Sequence, residues 1–87
     1  MLKIQRSSNG GVIFTLIGQI EIEHVVELQR LLGLEEADRG VAFDLKDVTL
    51  VNRDAVRFLS QCEAAGIALE KCPPYIREWI DREKKRT

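Results

Sequence analysis

Two cysteines and one histidine are the side chains of this 87-residue chain best suited to metal binding or redox chemistry. Cys62 and Cys72 are separated by nine residues, and His24 lies far from both along the chain. This spacing matches neither a zinc-ligand motif nor the disulfide framework of a small secreted domain. We therefore expect two reduced thiols, no metal and no cofactor.

Other catalytic arrangements are missing from the sequence as well. An enzyme would need a nucleophile with a base, paired carboxylates in a cleft, or a phosphate-binding glycine loop directly after a strand. Gly10 and Gly11 instead close the stretch 7–11, whose Ser, Asn and Gly residues are typical of a hairpin turn. The sequence thus favours a binding protein over an enzyme.

The charge balance narrows the class of partner. The chain carries 13 Lys and Arg against 14 Asp and Glu, a formal net charge of -1, so no basic field attracts nucleic acid or an anionic membrane. The basic residues at the end of the chain are expected to form a solvated helix end: Arg82, Lys84, Lys85 and Arg86. No signal sequence and no apolar run near the roughly 20 residues of a membrane span is present, so we expect a cytoplasmic protein.

Apolar periodicity predicts a single α/β domain over residues 2–86. Apolar residues make up 45% of the chain, enough for one core. Alternation before and after the turn indicates a hairpin, and later apolar residues recur at helical spacing. The expected elements are strands over 2–5 and 12–17, a helix over about 22–33, a strand over 41–45, a helix over about 53–65, a strand over 67–69 and a helix after Pro73 and Pro74.

This β-β-α-β-α-β-α order predicts a four-stranded, mostly parallel sheet with an N-terminal β-hairpin and three helices. If the strands lie in sequence order, right-handed crossovers place both connecting helices on one face. The other face then carries either Ile13, Thr15 and Ile17 or the alternate set 12, 14 and 16. We expect partial exposure there, with a dimer or partner contact as the alternative, and hence a monomer or weak homodimer.

One stretch resembles a known family. Residues 44–56 run Asp-Leu-Lys-Asp-Val-Thr-Leu-Val-Asn-Arg-Asp-Ala-Val, which is similar to a strand ending in Asp-Leu, a Val-Thr loop and the start of a helix in STAS domains (sulphate transporter and anti-sigma factor antagonist). The end of the second predicted strand, at 14–18, and the glycine and short strand at 66–69 resemble the corresponding segments of the same family. The resemblance covers roughly residues 2–80 and rests on the order and spacing of these pieces.

The resemblance implies a bacterial anti-sigma factor antagonist, a transcription regulator that binds an anti-sigma factor or a kinase-like ATPase. In that family a Ser or Thr at the start of the second helix is phosphorylated, which changes the charge of the docking surface. Position by position, the family's Asp, Ser and switching hydroxyl fall on Asn52, Arg53 and Asp54, while its Gly and Leu fall on Ala55 and Val56. Because neither Arg53 nor Asp54 has a hydroxyl, we expect no phosphorylation switch.

The charged residues at this helix start have alternative interpretations. Asn52 is expected to cap the helix. Asp54 either favours the helix dipole, which contributes roughly 0.3–1 kcal/mol, or mimics the phosphorylated state. Arg53 either pairs with Asp54 or offers a donor fork to a partner's carboxylate.

The candidate partner-binding residues are those of the loop and helix start equivalent to the family's switch: Asp47, Thr49, Val51, Asn52, Arg53, Asp54 and Arg57. The alternative function is a structural or self-assembling domain of a larger complex. Among the remaining residues, we expect Tyr75 and Trp79 to anchor the last helix in the core, Cys62 to be buried, Cys72 to be inert and His24 to be solvated.

Overall fold

The computed structural model describes residues 2–8, 10–35 and 40–85. Strands and helices follow the expected order: β1 (Leu2–Ser8), β2 (Val12–Ile20), α1 (Ile22–Gly33), β3 (Val41–Val51), α2 (Arg53–Ala64), β4 (Ala68–Glu70) and α3 (Pro74–Lys85). Among the described residues, no helix has the length and apolar character needed to cross a bilayer. The predicted turn residue Asn9 and the basic residue Arg86 lie outside the described residues.

The four strands form one sheet in the order β1-β2-β3-β4. β1 pairs antiparallel with β2, whereas β2 with β3 and β3 with β4 are parallel. This is the predicted α/β architecture, with the strands in sequence order.

β3 is longer than predicted, and the expected loop before α2 is part of it. Register shifts interrupt its pairing with β2, yet the ladder continues to Ile20 and Val51. Each shift inserts an extra residue into β3, so its buried side chains Leu45, Val48 and Val51 recur every third residue instead of every second. The strand prediction stopped at Leu45 because this spacing breaks the two-residue period of a regular strand.

The core lies between one face of the sheet and the helices. Phe43 stands at its centre, with ring centroids 6.0 Å from Phe14 and 6.2 Å from Phe58 of α2. α3 adds Ile76 and Ile80, both fully buried, to the same cluster. Because all three helices contribute to one cluster with this face, we assign them to one side of the sheet.

The opposite face of the sheet carries no helix among the described residues. Ile13, Thr15 and Ile17 are partly exposed, and neither isoleucine belongs to the core cluster or to the apolar side chains packed against it. Their neighbours Val12, Phe14 and Leu16 are at most 1% exposed. Of the two sets left open by the sequence, the first therefore faces outward.

Candidate functional site

The start of α2 is built around Asn52. Its backbone is extended, with φ -99° and ψ 178°, and its side-chain oxygen accepts a hydrogen bond of 2.9 Å from the amide of Ala55. The amide of Val56 donates to the Asn52 carbonyl at 3.0 Å. Asn52 is thus the predicted helix cap, because it satisfies amide groups that have no partner within the helix.

Arg53 and Asp54 project from the first turn of α2 and are both exposed. Within the described residues, neither side chain forms a hydrogen bond or an ion pair, so the alternative in which Arg53 pairs with Asp54 does not occur there. Since Asn52 already caps the helix, these two charges are not needed to satisfy its backbone. Both remain available to another molecule.

Arg57, one turn further along α2, connects this helix to α3. Its Nε donates to Oε1 of Glu83 at 3.1 Å. Arg53 and Arg57 line one end of an open groove of about 750 Å³ between the two helices, whose remaining lining residues are Ser60, Gln61, Ala64, Glu83 and Lys84. The helix start therefore continues into a polar groove.

An ion network holds α3 against α2 beyond this groove. Both terminal nitrogens of Arg77 donate to the carboxylate oxygens of Glu63 at 2.7 Å, and Lys84 pairs with the same carboxylate. Arg77 also pairs with Asp81 at 2.9 Å. The hydrogen bonds from Arg77 and Lys84 lower the pKa of Glu63 to about 2, and the bond to Glu63 raises the pKa of Arg77. The two helices are thus tied together by charge-assisted bonds.

Tyr75 contacts the end of β3 from the first turn of α3. It is 48% exposed, so the expectation that it anchors the core is wrong. Its hydroxyl donates to the carbonyl of Thr49 at 2.7 Å. Thr49 is the extra residue at a register shift and has no partner in β2, which leaves its carbonyl free for Tyr75. Trp79, the other expected anchor, does pack against the core while partly buried.

The structure separates the predicted site residues into four groups. Thr49 is exposed at the register shift, and its carbonyl accepts the Tyr75 hydroxyl. Asn52, Arg53, Asp54 and Arg57 share the start of α2, which we call the docking surface. Val51 is 4% exposed and belongs to the core, so its side chain offers no contact area. Asp47 pairs in register with Ile17 and therefore lies on the uncovered face of the sheet, as a separate exposed group.

The exposure of Leu50, two residues before the Asn52 cap, was not predicted from the sequence. Its side chain is 52% exposed, although it lies in the mostly apolar stretch 48–51, a pattern typical of buried residues. The register shift at Thr49 turns Leu50 outward beside Gln19 of β2. This exposure could have been predicted only from the register shift, and the sequence contains no clear signal for that shift.

The two cysteines and the histidine occupy positions that explain them as structural residues. Cys62 is buried, and burial raises its pKa to about 12. Burial also raises the pKa of Cys72, which disfavours the reactive thiolate. His24 is partly buried, and its Nδ1 accepts the backbone amide of Glu21 at 2.9 Å, so it caps α1 instead of being solvated as expected. Among the described residues, no group of three possible metal ligands is found.

Comparison with known proteins supports the fold. No protein-family model matches the chain, and no curated protein matches it. Among solved structures, it is similar to an uncharacterized protein of the DUF3478 family with a SpoIIAA-like fold from Shewanella loihica PV-4. The TM-score is 0.52 at 17% sequence identity, and the match covers 99% of this chain and 77% of that chain. The SpoIIAA-like fold is the STAS fold of anti-sigma factor antagonists, so the predicted STAS-type fold is confirmed.

Proposed function

We propose that this STAS-type domain is a regulatory protein-interaction module of the bacterial cytoplasm that acts by binding and not by catalysis. Its partner is an anti-sigma factor or a kinase-like ATPase, as the sequence resemblance implies. The docking surface at the start of α2 makes the contact, and its charge is fixed by its side chains without a phosphorylation switch. The observation that carries the proposal is the exposed Arg53, which has no polar partner within the described residues.

The chemistry of the docking surface supports a protein partner. An arginine side chain presents a rigid fork of donors that matches a carboxylate, and arginine is enriched in protein interfaces. The Asn52 cap and the bond from Arg57 to Glu83 fix the backbone around Arg53, so little ordering is needed on binding.

The fixed charge of Asp54 supports a constitutive mode of binding. It occupies the position where the resemblance expects a phosphorylatable hydroxyl, and a carboxylate cannot be esterified by a Ser/Thr kinase. In the first turn of α2 it keeps a negative charge at the positive end of the helix dipole. A partner that recognises the charge at this position therefore binds a surface whose charge is not changed by phosphorylation.

The experiment is a charge reversal at Arg53. The partner is identified by co-purification from the native host, and its Kd is then measured by calorimetry for the unaltered chain and for Arg53→Glu. We expect affinity to fall roughly 10-fold or more, since a hydrogen bond to a charged group contributes about 1.5–3 kcal/mol. The melting temperature should stay nearly unchanged, because Arg53 is exposed and forms no hydrogen bond or ion pair within the described part of the chain.

Arg30→Glu is the matched control, because Arg30 is an exposed arginine in the last turn of α1, at the other end of the helix layer. It should leave the Kd unchanged. Equal binding by Arg53→Glu would refute the docking surface, and a parallel loss of folding and binding would indicate a structural role instead.

A further inference from the structure

The uncovered face of the sheet has an ordered pattern of charge. We call it the open face and define it by its residues on three strands: Lys3 and Gln5 of β1, Ile13, Thr15 and Ile17 of β2, and Ala42, Asp44 and Asp47 of β3. It lies across the sheet from α2, so an interaction there is independent of the proposed docking surface.

The strand register arranges these residues in rows across the sheet. Lys3, Ile17 and Asp47 are partners in one row, and Ile13 and Ala42 lie in another. The row between them holds Gln5, Thr15 and Asp44, and the Asp44 carboxylate pairs with Lys71 of its own chain at 4.0 Å. The register shift before Asp47 brings this residue onto the open face, since without it Lys46 would stand opposite Ile17. One row is therefore cationic at β1, apolar at β2 and acidic at β3.

Lys3 and Asp47 are charges without a polar partner in the described part of the chain. Both are exposed, and neither forms a hydrogen bond or an ion pair within the described residues. They stand on opposite sides of the partly exposed Ile17, one strand away in each direction. With strands about 4.8 Å apart, their backbones are separated by roughly 10 Å, across an intervening isoleucine. The row is thus complementary to a copy of itself that has been turned around.

We propose that the open face binds a second copy of this chain, with the two-fold axis parallel to β2 and above it. Rotation about this axis exchanges the positions of β1 and β3 and keeps each row opposite the same row. Lys3 then faces Asp47 of the second copy, and Asp47 faces its Lys3. Ile13 and Ile17 meet their own equivalents, so two symmetric ion pairs flank an apolar centre.

The other face-to-face arrangement lacks this match. An axis perpendicular to the strands places β1 over β1 and reverses the order of the rows. Lys3 and Asp47 then both face the row of the second copy that contains Ile13 and Ala42. No opposite charges then meet. The parallel axis also agrees with the packing of sheets, which stack about 10 Å apart with strands aligned within about 30°.

The size of the open face sets the strength of the dimer. Three strands span only about 15 Å, whereas a stable interface buries about 800 Å² on each partner. The dimer is therefore weak and forms in concentrated solution. We expect a Kd of about 1 mM, which corresponds to a binding free energy of only about -4 kcal/mol. Sedimentation equilibrium of the full chain at concentrations up to about 1 mM can detect such a dimer.

Charge reversal tests the pairing of Lys3 with Asp47. Lys3→Glu and Asp47→Lys should each weaken association roughly 10-fold, since two symmetric pairs change from attraction to repulsion at up to about 1 kcal/mol each. The double variant Lys3→Glu/Asp47→Lys should restore the Kd to within about threefold by the same argument. Lys85→Glu on α3 is the control with the same charge change, and it should leave association unchanged.

Several results would overturn the proposal. A chain that stays monomeric up to about 1 mM would leave the open face without a second copy. A dimer that Lys3→Glu weakens no more than Lys85→Glu, or that the double variant fails to restore, would place the contact elsewhere. Circular dichroism of each variant establishes that the fold is intact, so that loss of association is not loss of structure.

Discussion

The two faces of the sheet are built from the same strands but have different physical roles. β2 supplies Leu16, which is fully buried beneath the helices, and next to it Ile17, which is partly exposed on the open face. Both are aliphatic residues of the same size. What separates them is the order of the strands, which places every crossover helix on one side.

This difference indicates where stability and interaction are located. The covered face removes Phe14, Leu16 and Phe43 from water almost completely, so it supplies most of the hydrophobic stabilisation. The open face leaves Ile13 and Ile17 partly exposed, between the charges of Lys3 and Asp47, which have no polar partner among the described residues. Substitutions on the two faces should therefore affect different measurements.

Substitutions at two neighbouring positions of β2 test whether the two faces differ in their contribution to stability. Leu16→Ala should lower the free energy of unfolding by about 2–5 kcal/mol, because it leaves a cavity in a closely packed core. Ile17→Ala should cost less than half as much, because its side chain is partly exposed and lies outside the core cluster. Urea denaturation at micromolar protein concentration, where the proposed dimer is absent, measures both. Equal losses would mean that the open face is as buried as the core.

The second prediction tests how the helix layer is held together. The ion pairs with Arg77 and Lys84 lower the pKa of Glu63 from 4.5 to about 2. A lowered pKa stabilises the fold above the unfolded value of 4.5, and this contribution is lost as the pH falls from about 4.5 towards 2. Glu63→Gln should remove about 1–2 kcal/mol near neutral pH, after allowance for solvent screening, and should flatten the acid limb.

Thermal unfolding of both proteins between pH 7 and about pH 2 measures this effect. Glu78→Gln is the control, because Glu78 forms an exposed pair with Arg82 within α3 and should change stability by only about 0.3–0.5 kcal/mol. If Glu63→Gln kept the full acid dependence, the network would not stabilise the contact between α2 and α3.

Much of the covered face could be predicted because its signals are local. Gly33 ends α1 at the expected residue, and Asn52 starts α2 where a capping side chain was predicted. Gly66, with φ 99°, follows α2 as the predicted glycine. Each of these positions depends on the chemistry of a few consecutive residues, which a single sequence contains.

The missed features depend on contacts between distant segments. The exposure of Leu50 and of Tyr75 follows from the irregular pairing of β3 with β2 and from the bond between Tyr75 and Thr49, which are 26 residues apart. The groove behind Arg57 likewise needs Glu83 of α3 beside it. No local pattern encodes these neighbours, so the docking surface was predicted in part and its surroundings were not.

The smallest expected effect concerns the end of the helix layer, where the docking surface lies. Asn52→Ala should lower the free energy of unfolding by about 1 kcal/mol, because the amide of Ala55 loses its side-chain acceptor. Asn52→Asp keeps an acceptor and should retain most of the stability. Urea denaturation of the three proteins measures the free energy of unfolding, and calorimetry with the partner measures the Kd.

Because Asn52 fixes the backbone that carries Arg53, the alanine variant should bind the partner more weakly, since more ordering is then needed on binding. Arg53→Glu, by contrast, should weaken binding without loss of stability. If Asn52→Ala changed neither property, the start of α2 would be held by the sheet and α3 alone, and its cap would have no part in presenting Arg53.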